Sequence, residues 1–326
     1  MSRRRWTVGV DFGGTNIRLG LVDRAARLVS ARVLDSRPLG EPARFLPGIV
    51  KAIGELSASV GVSTARLVGV GVGAPGPVDV ARGMVHTMVN VPGWHRVSLA
   101  ARLERWLGCP CAVDNDANLF ALGEWRFGAA RGARHVVGLT LGTGVGGGLI
   151  LNGAVYRGSA GAAGELGHQV VDPRGPRCSC GARGCLEALV GAAAIVRTAR
   201  RVMRSRATRL RRMEAEVGDL TPRLIGRAAR AGDRTARIIW QQVGWQLGRG
   251  MATIVNMLNP DCIVIGGGIA NNWSSFAPAM RESLRLHAMR VASESVRVVR
   301  SRLGRSAGVL GAAMLVWSEL QGRARR

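Results

Sequence analysis

The sequence predicts an α/β protein of two domains, and three observations carry that expectation. Short apolar runs end repeatedly in glycine turns: residues 6–11 before Gly13 and Gly14, 136–141 before Gly142 and Gly144, and 263–265 before Gly266, Gly267 and Gly268. Segments with helical spacing separate these runs. At 326 residues and 47% apolar composition, the chain is long enough for two ordinary domains around well-buried cores.

In chain order, residues 6–11 and 17–22 read as two strands joined by a tight glycine turn. Within DFGGT, Gly13 and Gly14 let backbone N–H groups approach a phosphate, Thr15 adds a hydroxyl, and Asp11 can hold Mg²⁺ through water. A helical pattern over 42–60 leads to a strand at 67–73 and to the loop APGPVD, which Pro75 and Pro77 hold extended. VNVPGW at 89–94 sets Asn90 and Trp94 in a loop, and a short helix is expected over 99–107. The strand at 111–113 ends in DNDAN, residues 114–118. A carboxylate flanked by amides at the carboxyl end of a strand lies where open α/β sheets place their chemistry. The next helix is expected over 119–127, with Asp114 or Asn118 able to cap it and leave Asp116 free.

Residues 136–156 are uncharged over a length that could span a bilayer. Their seven glycines break them into strand, turn and strand, so a soluble hairpin is expected and no membrane. LGTGVGGG in that hairpin offers a second phosphate cradle at Thr143 and Gly144. Helices are expected over 188–212, 221–231 and 235–258. The turn at Gly266, Gly267 and Gly268 follows a buried strand and suits the close approach of an adenosine. An apolar helix over 306–317 and an arginine-rich tail close the chain.

Net charge is +25, and Lys51 is the single lysine among 46 basic residues, so arginine is spread throughout rather than gathered in one patch. Such a charge raises binding to nucleic acid or another polyanion. The densest run holds eight arginines between 197 and 212, interleaved with Ile195, Val196, Ala199, Val202, Met203 and Leu210 at helical spacing. It carries no aromatic residue for stacking bases, so it reads as a solvated helix face and nucleic acid is not an expected partner. Few cysteines and no apolar segment ahead of Asp11 point to the cytoplasm.

The stretch GELGHQVVDPRGPRCSCGARGCLE, residues 164–187, sets His168, Cys178, Cys180 and Cys185 between Glu165 and Glu187. Three thiolates and one imidazole fill a tetrahedral Zn²⁺ and leave no position for water, the pattern of structural zinc. Small buried thiols in a reduced protein are the alternative, and the clustering argues against it. A metal that folds this loop would draw Glu165 and Glu187 together and shape a pocket.

DFGGT, APGPVD, DNDAN, LGTGVGGG, GELGH, CSCGARGCLE and IVIGGGIA, in this order, resemble the ROK family of sugar kinases and sugar-responsive repressors, nearest to its bacterial glucokinases. The resemblance runs over about residues 8–314. It implies an α/β, actin-like, hexokinase-type ATPase fold of two lobes with an interlobe cleft, each lobe carrying one phosphate-binding glycine turn. The small lobe would be residues 1–112 with a C-terminal helix, 306–320, returning to it, and the large lobe 113–305 with the zinc loop. It implies Asp116 as catalytic base, Asn90, Asn115, Glu165, His168 and Glu187 as sugar contacts, and His168, Cys178, Cys180 and Cys185 as zinc ligands. It also implies a homodimer or homotetramer.

The residues agree with that chemistry on their own account. Carboxylates and amides read hydroxyls that donate and accept, and phosphoryl transfer asks for in-line placement, charge neutralisation and a base. The expectation is therefore an ATP-dependent hexose kinase, a glucokinase making glucose 6-phosphate, with ATP, Mg²⁺ and structural Zn²⁺. The same pattern admits kinases of N-acetylmannosamine, N-acetylglucosamine, allose or fructose, because epimer selectivity rests on few contacts. A sugar-sensing regulator is a second class, but the ten residues ahead of Asp11 leave no room for a helix-turn-helix. A polyphosphate donor is a third, against which the adenosine-type turn at Gly266 to Gly268 argues.

Overall fold

A computed structural model describes residues 6–88 and 93–323. They form two compact units, Met1–Ala133 with Gly148–Gly164 and Arg302–Arg326, and Arg134–Gly147 with Glu165–Ser301.

The first unit opens with β1 (Trp6–Phe12), β2 (Asn16–Asp23) and β3 (Leu28–Asp35), an antiparallel meander with Val10 opposite Leu19 and Gly20 opposite Ala31. Val8, Val10 and Phe12 alternate inward, as do Ile17, Leu19 and Leu21. The edge strand β3 was not expected, because most of its residues are exposed on both faces and the sequence lacks the alternation that marks a half-buried strand. Next come α1 (Pro42–Ala58), β4 (Leu67–Ala74), a small ribbon of β5 (Val78–Asp79), β6 (Met84–Thr87) and β7 (His95–Ser98), then α2 (Leu99–Leu107) and β8 (Cys111–Asn115). β4 runs parallel to both β1 and β8, which gives the strand order β3-β2-β1-β4-β8. Trp94 is core rather than site: it is 2% exposed, packs against Phe12 and Phe45 at 5.6 and 5.2 Å, and donates its Nε1–H to the Gly40 carbonyl. Asn90 lies outside the described residues.

The helix after DNDAN, α3 (Asp116–Phe127), starts at Asp116 and not at 119. β9 (Val136–Leu141) belongs to the second unit, and β10 (Val145–Leu151) begins there before its later residues pair with β11 (Ala154–Val155) in the first.

In the second unit the single helix expected over 188–212 is three: α4 (Leu186–Val190), α5 (Ala192–Ser205) and α6 (Leu210–Val217). Gly191 and Arg206 both take extended backbone, so the i to i−4 ladder breaks twice. The arginine run is a solvated face, as expected: Ile195, Ala199, Val202, Met203 and Leu210 are buried, while the Arg197 and Arg211 guanidinium groups donate to the carbonyls of Ala188 and Met203. After α7 (Pro222–Arg230), α8 (Arg234–Leu258) is capped by Asp233, which also accepts from Thr208 and Arg209 and so fixes the start of α6. β12 (Cys262–Gly266), α9 (Trp273–His287), α10 (Arg290–Ser295) and β13 (Arg297–Arg300) follow, with β12 parallel to β9 and β13. No helix among the described residues is long and apolar enough to cross a membrane.

The chain then returns to the first unit as α11 (Ala307–Arg323). At two glycines the backbone of this helix comes down onto β1 and β4: a Cβ on Gly9 or Gly71 would collide with the carbonyl of Val309 or Ala312. The buried Glu124 at the end of α3 secures the return, accepting N–H from Ala129 at 2.8 Å and Leu303 at 2.9 Å. Because β8 pairs with β4 and α3 packs on α11, the first unit continues past residue 112 to Ala133. Gly71→Ala is expected to destabilise this unit by roughly 1–3 kcal/mol, seen as a lower urea midpoint, since the colliding atom is helix backbone that cannot rotate away. An unchanged midpoint would show that α11 shifts freely.

Candidate active site and metal centre

In the first unit, the parallel pairing of β8 with β4 delivers DND to the sheet's carboxyl edge. Asn115 is the cap of α3, its Oδ1 accepting from Ala117 N at 2.9 Å and Asn118 N at 3.2 Å. Neither Asp114 nor Asn118, the expected caps, does this. The Asn115 Nδ2 donates to the Gly76 carbonyl at 3.1 Å, so the loop expected to be stiff braces this amide. Asp116, half-buried, is the first residue of α3, and its Oδ1 accepts from Ala117 N at 2.9 Å.

The turn between β1 and β2 is closed by Gly13 N donating to the Asn16 carbonyl at 3.0 Å. Gly14 and Thr15 are exposed, and nothing stands within 4 Å of where a Gly14 side chain would go. Ser36 fixes the turn from below, its Oγ–H donating to the Gly14 carbonyl at 2.9 Å and its N–H to that of Thr15 at 3.2 Å. No pattern in SRPLG marks this serine in the sequence. Asp11 stands at the end of β1, 3.7 Å from the Arg18 guanidinium. Burial pushes its carboxyl up to about 6, and Arg18 opposes that rise. A hard carboxylate oxygen beside an open backbone turn fits Mg²⁺, which keeps most of its waters and takes one or two carboxylates.

In the second unit, the LGTG turn closes with Gly142 N on the Gly144 carbonyl at 2.9 Å, leaving Thr143 exposed. Gly144 has a reason beyond phosphate approach, because any Cβ there would strike the Glu187 carboxylate. The Gly266, Gly267 and Gly268 turn lies against it: Gly267 takes φ +85, and its Cα face abuts the Leu141 backbone. A cavity of about 760 Å³ among α7, α8 and α9, lined by Arg230, Arg237, Gln241 and Trp245 among others, contains none of the expected site residues.

His168, Cys178, Cys180 and Cys185 come together, their donor atoms all within 4.8 Å of one another. His168 Nδ1 lies 3.5 Å from Cys178 Sγ and Cys180 Sγ 3.6 Å from Cys185 Sγ. Tetrahedral Zn²⁺ with bonds of about 2.1–2.3 Å needs donors roughly 3.5–3.8 Å apart, so the set fits the ion. The thiols are not disulfide-bonded. Burial, then the neighbouring thiols, push Cys185 up to about 12, so a cation is what makes it a thiolate near neutral pH. Short bridges, Val170 to Cys185 and Arg177 to Arg183, fold the loop. Glu187, just after the last cysteine, accepts from Val145 N at 3.0 Å and from Ser179 Oγ at 3.1 Å, tying the cysteine loop to the LGTG turn. Ser179 was not singled out in the sequence, although it sits between two ligands. Glu165 is exposed one turn before His168, whose N–H donates to the Glu165 carbonyl at 3.0 Å.

Elemental analysis of protein purified without chelator is expected to find about one zinc per chain, and Cys178→Ser or Cys185→Ser to lose it; a metal-free wild type would remove the centre. Asp11 gives a second expectation. Its folded value lies above the ordinary 3.8, so its protonated form favours folding, fully below 3.8 and progressively less as pH rises to about 6. Comparing urea midpoints at about pH 4 and about pH 7, the loss with rising pH should be smaller in Asp11→Asn than in the wild type.

Comparison with known proteins accords with this geometry. The sequence model of the ROK family matches residues 7–319. The glucokinase of Thermotoga maritima is 36% identical over 316 residues, 97% of this chain and 98% of that protein. The crystal structure of a ROK family glucokinase from Streptomyces griseus in complex with glucose and AMPPNP is similar with a TM-score of 0.81 at 34% identity, over 96% of this chain and 99% of that one. The xylose repressor of Caldicellulosiruptor bescii is 28% identical over 96% of this chain but 78% of its own length. The fold is thus the expected α/β, actin-like ATPase type, and the chain belongs to the ROK family.

Proposed function

We propose that this chain is an ATP-dependent hexose kinase, with glucose as acceptor and glucose 6-phosphate as product. The observation that carries the reading is the β8–α3 junction, where Asp114 is held by Arg157, Asn115 and Asn118, Asn115 caps the helix, and Asp116 stands half-buried at the first helical position. Support for the substrates comes from relatives: glucokinases at 34–36% identity over nearly the whole chain, one crystallised with glucose and AMPPNP.

In this reading Asp116 accepts the proton of the sugar's primary hydroxyl as its oxygen attacks the γ-phosphorus of ATP, and ADP leaves with the bond electrons. Glu165, Glu187 and His168, whose Nε2 is the ring nitrogen turned away from the thiols, take hydroxyls of the ring; Asn115 adds the remaining hydrogen of its amide. Backbone N–H groups at Gly14, Thr143 and Gly144 serve the phosphates with the Thr15 hydroxyl, Gly13, whose N–H closes the turn on Asn16, lets them come close, and Gly266, Gly267 and Gly268 give the adenosine a close approach. Asp11 would hold Mg²⁺, which neutralises charge on the phosphates when bound. His168, Cys178, Cys180 and Cys185 would hold a zinc with no position left for substrate, which would brace the loop in which Ser179 meets Glu187. The same reading places the protein in the cytoplasm as a homodimer or homotetramer.

Asp116→Asn should keep its circular dichroism and melting behaviour while kcat for ATP-dependent glucose phosphorylation falls about 10²–10⁴-fold. In the same assay, a panel of hexoses and N-acetylhexosamines with ATP and Mg²⁺ should give glucose the highest kcat/KM. Normal turnover by the variant removes Asp116 as base; preference for another sugar moves the substrate and leaves the class intact.

A further inference from the structure

We propose that Arg157 is a positioning residue for this reaction: seated on Asp114, it holds the β8–α3 junction in the shape that presents the Asp116 carboxylate. The inference rests on the kinase reading above and deepens it.

Asp114 is 1% exposed. Its Oδ2 accepts from Arg157 Nε at 2.9 Å and Nη2 at 2.6 Å, and its Oδ1 from Asn118 Nδ2 at 3.0 Å and Asn115 N at 2.7 Å. Each oxygen therefore has two donors, and this first carboxylate of DND has no lone pair left for a substrate. Two of those donors belong to the junction itself: the Asn115 N–H precedes Asp116 directly, and Asn118 lies in the first turn of α3. A facing cation compensates the cost of burying a carboxylate and holds it in place. Among the described residues, Arg157 is the cation in ion-pair contact with it.

Arg157 is itself anchored. It follows β11 in a loop closed by Ala163 N on its own carbonyl at 3.0 Å. At Gly161 that loop passes so near β5 that a Cβ would lie 2.6 Å from the Val78 carbonyl. The guanidinium is thus delivered from a fixed backbone and grips one oxygen with two converging donors, which lysine cannot reproduce. Removing it leaves Asp114 pulling on Asn115 and Asn118 alone, and displacements of about 1 Å at a reacting group cost around 10²-fold in rate.

The test is a double-mutant cycle on kcat in the full-length enzyme with glucose, ATP and Mg²⁺. Arg157→Met is expected to lower kcat by one to two orders of magnitude with KM for ATP unchanged, and Arg157→Lys to recover part of the loss. In an Asp116→Asn background the same Arg157→Met change should cost nothing further, because Arg157 acts through the group already removed. If Arg157→Met fails to fold, Arg157→Lys carries both arms of the cycle. An Arg157 variant with wild-type kcat, or one that loses the same factor in both backgrounds, overturns the inference while leaving the kinase reading standing. A fully active Asp116→Asn single variant overturns the reading beneath it.

Discussion

The first unit depends on backbone meeting backbone along α11. With Gly9 and Gly71 beneath it, the helix settles onto β1 and β4 at a depth no Cβ would allow, and Gly123 and Gly311 do the same where α3 crosses it. Dispersion is strongest at such short range, and close-packed interiors adjust little to an added methyl. The depth matters for chemistry because the helix also walls the end of β1: a Cβ on Gly308 would lie 2.8 Å from the Asp11 carboxyl carbon. A residue assigned to magnesium and a helix from the far end of the chain are thus set by one contact.

Negative charge in the interior is handled differently from the positive excess outside. Asp114 and Glu124, at 1% and 0% exposure, are surrounded by N–H donors, one holding the start of α3 and the other its end. A buried carboxylate so satisfied fixes geometry, since any movement strands a charge. Most arginines keep their heads in water or on helix-end carbonyls, so a net charge of +25 coexists with an ordinary apolar core.

Much of this was legible in the residues. Glycine turns after apolar strands located β1, β9 and β12, and the spacing of His168, Cys178, Cys180 and Cys185 marked them as a candidate metal cluster, which the fold brings together. What escaped was set by partners remote in sequence. β3 has no buried face to write a pattern, and β13 forms by pairing with β12, with two of its four residues exposed. Ser36, Arg157 and Glu124 act on segments 22, 43 and 178 residues away, and nothing local announces such roles. The helix break at Gly191 was misread because amphipathic spacing continues across it while the backbone does not.

The candidate metal cluster differs from all this in being local. Its four donors fall between residues 168 and 185, whereas pairing β9 with β12 must bring Val136 to Cys262. Closing a short loop costs little chain entropy, and short-range contacts form fastest. A metal held by these four donors would therefore close its loop at little entropic cost, without waiting for either sheet to be complete.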